Sequence, residues 1–164
     1  MPTANRRSVV KIMLLAGVTG AILIDLYLWV TEVLVMHKTT ALILFQWDAS
    51  NLLGARAFQA GVGVALFGCL LHLIVSLIWG AIFTLAALQF RFLARNVLVW
   101  GVVFGVVVRL VMAQVIVPLG RATMPPAHGV YLVNLYVAHI VFFGIPVAWV
   151  VSRSFAAAPP QAAA

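Results

Sequence analysis

The chain of 164 residues is 65% hydrophobic and only 8% charged, and its mean hydropathy is +1.18. These values exclude a soluble globular domain and indicate a polytopic membrane protein. The formal net charge is +7, but the basic residues lie mostly at the ends of apolar segments with few aromatic residues near them. This pattern argues against nucleic-acid binding and is typical of charges that set membrane topology.

Four apolar segments are long enough to cross a bilayer as helices, at about residues 12–36, 58–89, 97–118 and 129–152. They predict an all-α membrane protein with a single four-helix transmembrane domain over residues 1–155. Residues 156–164 contain Pro159 and Pro160 and are expected to form a disordered cytoplasmic tail. Arg6 and Arg7 before the first apolar run also resemble a twin-arginine export signal, but Asp25 interrupts that run and no A-x-A cleavage site follows. We therefore expect an uncleaved first span.

The distribution of basic residues between the loops predicts the orientation. With the N-terminus inside, the cytoplasmic segments carry six basic residues and the outer segments carry three. The six are Arg6, Arg7, Lys11, Arg91, Arg95 and Arg153, and the three are Lys38, Arg56 and Arg121. By the positive-inside rule, both termini are expected in the cytoplasm.

The first outer loop contains an apolar stretch, residues 41–47, that is too short to cross the membrane. Trp47 stands at its polar end, immediately before Asp48. Such a stretch is typical of a helix that lies in the outer interface, and a re-entrant segment that dips into the bundle is the alternative.

Ionisable residues inside the spans are costly and mark the candidate site. Asp25 and Glu32 are two helical turns apart and face the same side of the first span. Counting ~1.5 Å per residue from the cytoplasmic ends places Asp25, Arg109 and His139 at one depth, with Glu32 and His72 further out. We therefore expect a buried polar cluster of these five residues, in which Asp25 pairs with Arg109. This pairing requires the first and third spans to adjoin.

Small residues recur every four positions on two spans, which is typical of close helix–helix contacts. The second span offers Gly68, Ser76 and Gly80, and the third offers Gly101 and Gly105 as a G-x-x-x-G motif. We expect these residues to pack against neighbouring helices.

Two functional classes fit these residues. In the first, the Asp25–Arg109 pair only locks the packing, and the protein is a structural or accessory component of the bilayer, in a homo-oligomer or a larger membrane complex. In the second, the single buried arginine neutralises only one of the two acidic residues, so Glu32 is left over and forms with His72 a path for protons or a small solute.

Haem, metal and enzyme functions are further alternatives. His72 and His139 could bind haem b between the second and fourth spans, and His37, His128 and Asp48 could bind a metal at the outer surface. Otherwise no cofactor is expected. No P-loop, zinc-protease pattern or nucleophile elbow is present, so an enzyme is not predicted.

Several short segments resemble a group of uncharacterised bacterial four-helix membrane proteins, similar to the YagU-type inner-membrane proteins. They are Gln46 to Phe58, Leu71-His72, His72-x-x-x-Ser76, Trp79-Gly80, Gly101 to Arg109, Val117-Pro118-Leu119, and Ala138-His139 to Pro146. The resemblance covers about residues 10 to 153. It implies a bacterial inner-membrane location and supplies no catalytic residues.

Overall fold

A computed structural model describes residues 6–122 and 127–156 of the chain. Four of its helices are long and apolar enough to cross a membrane: Ser8–Val35, Val62–Gln89, Val97–Leu119 and Gly129–Ala156, here the first to fourth spans. The predicted all-α bundle of four spans is confirmed. The first span begins four residues before its predicted start, the second begins four after, and the fourth ends four later than predicted. The part of the predicted disordered tail that follows Ala156 lies outside the described residues.

The spans are built from both regular and irregular helical turns. The first consists of α1 (Arg6–Leu28) and a π-helical segment (Trp29–Val35). A separate helix, α2 (Ala41–Leu53), and a 3₁₀ turn (Gly54–Gln59) lead to the second span, α3 (Val62–Gln89). A second 3₁₀ turn (Arg91–Ala94) precedes the third span, which consists of α4 (Val97–Val111), a π segment (Met112–Ile116) and α5 (Val117–Leu119). The fourth span consists of α6 (Gly129–His139), a π segment (Ile140–Gly144) and α7 (Ile145–Ala156).

The first span packs against the second and the fourth, and the third packs against the fourth. The first and third spans therefore lie diagonally across the bundle, and the prediction that they adjoin is wrong. We call the end of the bundle that carries residues 91–96 the terminal end, and the opposite end, which carries α2, the α2 end.

Glycine contacts explain this order of the spans. A Cβ atom on Gly80 would lie 2.6 Å from the backbone nitrogen of Gly17, so the first and second spans touch backbone to backbone. A Cβ atom on Gly101 would lie 2.7 Å from the Cα of Ile145, and one on Gly105 would lie 2.6 Å from the Cα of Ile140. The third and fourth spans are therefore equally close, as expected of small-residue interfaces.

The other predicted packing residues also lie at helix contacts. Gly68 faces the backbone carbonyl of Phe45, and this contact places α2 against the second span. Ser76 is 2% exposed, and its carbonyl oxygen would lie 2.9 Å from a Cβ atom on Gly17. Each of the five predicted packing residues thus lies against the backbone of a neighbouring helix.

The terminal half of the bundle is filled by apolar side chains. Phe83, Phe104 and Phe143 are buried and form an aromatic cluster, with ring centroids 4.7 Å apart for Phe83 and Phe104 and 6.2 Å apart for Phe104 and Phe143. Closer to the terminal end, the Ser152 hydroxyl donates to the carbonyl of Ala94 at 2.7 Å. This half of the molecule is a packed core without a large polar group at its centre.

Two of the three π segments have a proline immediately beyond them. Pro118 and Pro146 have no backbone N–H, so the carbonyls of Gln114 and Phe142 lack their usual partner four residues later. Wider π turns are one way for a helix to accommodate such a break, and they are frequent at functional sites.

We predict that Gly105→Ala destabilises the bundle, because its Cβ atom would overlap the fourth span. Overpacking of this kind costs about 1–3 kcal/mol. The measurement is the melting temperature of the purified protein in detergent. The matched control is Gly63→Ala, where nothing lies within 4 Å of the added Cβ atom and the better helix propensity of alanine makes the change neutral or stabilising. Equal melting temperatures for both variants would contradict the close contact.

Candidate functional site

A cavity of about 730 Å³ lies in the α2 half of the bundle. It is bounded by all four spans, by α2 and by the residues on either side of the loop between the third and fourth spans. This volume is within the range of ~300–1,000 Å³ that is common for small-molecule sites. We call it the polar cavity. Its polar and ionisable lining residues are Asp25, Glu32, Asp48, Asn51, His72, Arg109, Gln114, Tyr131, Tyr136 and His139.

The polar cavity collects every carboxylate residue in the sequence, because Asp25, Glu32 and Asp48 are the only acidic residues in the chain. It also collects Arg109 and both histidines of the predicted cluster. All five residues of that cluster therefore line one cavity, although not in the predicted pairs.

The π segments shape this half of the bundle. Glu32 belongs to the π segment of the first span, and Met112, Ala113 and Gln114 belong to that of the third. His139 is the last residue before the π segment of the fourth span. The wider turns thus place both large polar and small side chains around the cavity, in contrast to the aromatic cluster of the terminal half.

Asp25 pairs with His72 and not with Arg109. Nδ1 of His72 lies 2.7 Å from Oδ1 of Asp25, and the two side chains are 18% and 25% exposed. The predicted Asp25–Arg109 pair fails because the third span lies diagonally opposite the first. The depth estimate for Asp25 was also wrong: Asp25 is seventeen residues from Ser8, and His72 is seventeen residues from Gln89, so both lie ~26 Å from the terminal end.

Arg109 faces the polar cavity without a carboxylate partner in the described part of the chain. Its only ion-pair candidates are the three acidic residues, and none lies within 4.0 Å of its guanidinium group. The buried Nε atom has no hydrogen-bond partner. The guanidinium carbon lies 5.7 Å from the ring centroid of Tyr136, which is within reach of a cation–π contact.

Glu32 and Asp48 are the acidic residues left without a base in direct contact. Glu32 is only 4% exposed, and no Lys, Arg or His nitrogen among the described side chains lies within 4.0 Å of either carboxylate. The nearby Lys38 ammonium instead lies 2.9 Å from the centroid of the Tyr131 ring. The polar cavity therefore holds separated charges of both signs.

Asp48 lies on α2, outside the four spans. Burial raises the pKa of its carboxyl group to about 6, with the positive charge of His72 opposing this rise and the negative charge of Asp25 adding to it. Asp48 is therefore mostly ionised at neutral pH and takes up a proton in mildly acidic conditions.

The half-buried His72 and His139 line a second, smaller cavity. It has a volume of about 30 Å³ and continues from His72 and His139 towards Trp79 and Phe143. This is room for one or two waters. The Nδ1 atom of His139 lies 2.8 Å from the carbonyl of Leu135, so in the neutral ring Nδ1 carries the proton and Nε2 is the free acceptor.

Sequence reasoning missed several residues of the site. Asp48 was considered only as a metal ligand with His37 and His128, and these three do not come together; across the described ranges, no group of three His, Cys, Asp or Glu side chains forms a metal site. Tyr131 and Tyr136 also line the cavity, although neither belongs to the predicted cluster. A signal for α2 was present, because its buried residues Gln46, Ala49 and Ser50 recur at helical spacing and are small or polar.

A second polar contact joins the first and fourth spans. The Tyr27 hydroxyl donates to Oδ1 of Asn134 at 2.7 Å, and Nδ2 of Asn134 donates to Oγ1 of Thr31 at 3.3 Å. None of these three residues lines the polar cavity. Asn134 is therefore an amide that joins two helices.

No family model matches the sequence, and no curated protein or solved structure matches it either. The functional inference therefore rests on the chemistry of the polar cavity.

We predict that Asp25 and His72 are energetically coupled and that Asp25 and Arg109 are not. Direct partners show coupling energies of about 0.5–3 kcal/mol in double-mutant cycles. The cycle compares the stability of Asp25→Asn, His72→Gln and the double variant in detergent. The matched cycle with Arg109→Gln in place of His72→Gln is expected to be additive. A larger coupling to Arg109 would contradict the observed pairing.

Proposed function

We propose that this protein binds a small polar solute in the polar cavity and passes that solute, or protons, across the membrane. The observation that carries this proposal is the cavity of about 730 Å³ that gathers all three carboxylates with Arg109, His72 and His139. Charges of this kind inside a bundle are expensive unless water, a partner or a ligand compensates them. A structural role would be served by a packed interior, whereas this half of the interior is hollow and charged side chains form part of its lining.

The extent of the cavity supports passage from the α2 end. Ala122 and Ala127, at the loop between the third and fourth spans, are part of its lining, and so are His72 and His139 near the middle of the bundle. The smaller cavity extends the polar route further, as far as Trp79 and Phe143. Beyond that point the aromatic cluster blocks the path, so a solute needs a rearrangement there.

The irregular helical turns provide places for such a rearrangement. The π segments that precede Pro118 and Pro146 lie at or beside the polar cavity, and the carbonyls of Gln114 and Phe142 lack their regular helical donors. Helices bend at such breaks more readily than in regular stretches. Protons need less movement than a solute, because the smaller cavity has room for one or two waters beside His72 and His139.

An accessory structural role is the second candidate, and the glycine contacts favour it. The backbones of neighbouring spans touch at Gly17, Gly80, Gly101 and Gly105, which is expected of a rigid bundle that serves to assemble with other proteins. In that case the Asp25–His72 pair, in place of the predicted Asp25–Arg109 pair, only holds the first two spans together.

We also propose that the membrane is the bacterial inner membrane, with both termini in the cytoplasm. The excess of Lys and Arg at the terminal end supports this orientation, and the resemblance to bacterial four-helix inner-membrane proteins supports the location. The polar cavity then opens towards the periplasm, where small nutrients and ions arrive.

We predict that proteoliposomes containing the protein take up small polar solutes or protons faster than empty vesicles. Uptake of neutral and zwitterionic solutes is measured by light scattering after an osmotic step, and proton flux is measured with an enclosed pH-sensitive dye. Leu135→Trp fills the cavity and is expected to return both fluxes to the level of empty vesicles.

The matched control is Val133→Trp, two residues away on the same span, where the side chain is 62% exposed on the outer surface of the bundle. This variant is expected to keep the wild-type flux. If wild-type vesicles and empty vesicles are alike for every solute and for protons, the proposed transport role is wrong and the accessory role remains.

We predict that a membrane-impermeant maleimide added to intact cells labels the α2 end and not the terminal end. The test uses Cys69→Ala, which removes the single cysteine, with either Thr39→Cys near α2 or Ser154→Cys near the end of the fourth span. Labelling of Ser154→Cys alone would reverse the proposed orientation.

A further inference from the structure

The charges of the polar cavity are only partly matched to one another. Asp25 and His72 form the one direct ion pair found in the part of the chain that the structure describes. Arg109 on the third span and the acidic residues Glu32 and Asp48, on the first span and α2, remain apart, and all three line the cavity. The cavity is thus lined by one unpaired cation and two unpaired carboxylates among the described residues.

We propose that the solute is a small zwitterion of the amino-acid or short-peptide class. Its carboxylate is bound by Arg109, and its ammonium group is held by Glu32, with Asp48 as the second unpaired carboxylate of the cavity. This inference rests on the proposed function and adds the chemical class of the solute.

The surroundings of Arg109 fit a carboxylate. The Nε atom is buried and has no partner, and an Nε–H with a neighbouring Nη–H forms the planar fork that binds both oxygens of a carboxylate. The Tyr136 ring, 5.7 Å from the guanidinium carbon, supports the cation without using a hydrogen-bond donor. Among the described residues the Nε–H of Arg109 thus has no protein acceptor, and a ligand carboxylate would supply one.

The unpaired acidic residues of the cavity fit an ammonium group. An ammonium group has three donors and no acceptor, so two carboxylates can share it. Glu32 is almost fully buried, so its negative charge is costly without a counter-charge. Lys38, the basic residue near Glu32, lies on the face of the Tyr131 ring and makes no direct ion pair with Glu32 or Asp48.

Ligands with a single charge fit less well. An anion would satisfy Arg109 but would meet the negative charges of Glu32 and Asp48, and a cation would satisfy the acids but would meet Arg109. A zwitterion compensates both sites at once. The charged groups also favour it over a neutral solute, which would leave both sites uncompensated.

The test measures the melting temperature of the purified protein in detergent with six compounds at equal concentrations. Leucine and leucylleucine are the zwitterions, their N-acetyl derivatives are the matched anions, and their amides are the matched cations. At least one zwitterion is expected to raise the melting temperature by mass action, and both of its singly charged derivatives are expected to raise it much less.

Three variants assign the two sites. Arg109→Gln is expected to remove the preference for the zwitterion over its amide, and Glu32→Gln combined with Asp48→Asn is expected to remove the preference over the N-acetyl derivative. Arg56→Gln, which removes an exposed positive charge outside the cavity, is expected to keep both preferences. Arg109→Lys keeps the charge but loses the fork, and we expect weaker binding with the preference retained; it replaces Arg109→Gln if that variant does not fold.

Failure of this inference is distinct from failure of the proposed function. If an N-acetyl derivative or an amide stabilises the protein as strongly as its zwitterion, the assignment to zwitterions is wrong while solute binding stands. If none of the six compounds raises the melting temperature, the inference is also wrong, and the flux measurements decide the transport role independently. An unchanged preference in Arg109→Gln, or undiminished stabilisation of Arg109→Lys by the zwitterion, would likewise overturn the carboxylate site.

Discussion

Close backbone contacts at glycines determine which spans are neighbours, and the remaining features of the bundle depend on that order. Gly80 lies against Gly17, and Gly105 lies against the fourth span, so the chain is joined as two tight helix pairs. Because the first and third spans are then diagonal, Asp25 meets His72, and Arg109 is left facing the space between the pairs. The separated charges of the cavity are therefore a consequence of small residues elsewhere in the bundle.

The two halves of the bundle have different tasks. The terminal half is packed around Phe83, Phe104 and Phe143 and supplies most of the buried apolar contact. The α2 half contains the cavity and the charged groups that line it, whose burial is unfavourable in free energy. A protein tolerates such unfavourable groups only when the rest of the structure stabilises the fold, which is a common relation between scaffold and site.

The sequence predicts the four spans and the residues that meet in the cavity, but not their partners. Apolar length identifies the spans, and the cost of charge in a bilayer identifies Asp25, Glu32, His72, Arg109 and His139. The partners depend on which helices adjoin, and a sequence with glycines on several spans does not decide that order. The error in the depth of Asp25 had a simpler origin. The first span was predicted to begin at Ile12 but begins at Ser8, so every depth on it shifts by four residues, ~6 Å. Asp48 was missed because the structure of the loop that carries it depends on packing against the second span.

The length of the second span locates α2 relative to the bilayer. Its 28 residues extend ~42 Å, about 12 Å more than a hydrocarbon core of ~30 Å. Gly68, which contacts α2, is six residues from the start of this span, ~9 Å from its end. Wherever the excess length lies, α2 crosses the second span at most ~9 Å inside the bilayer surface. Asp48 on α2 therefore lies near the boundary with water and Arg109 lies deeper, so in the proposed transport role a solute that enters from this end meets Asp48 before Arg109.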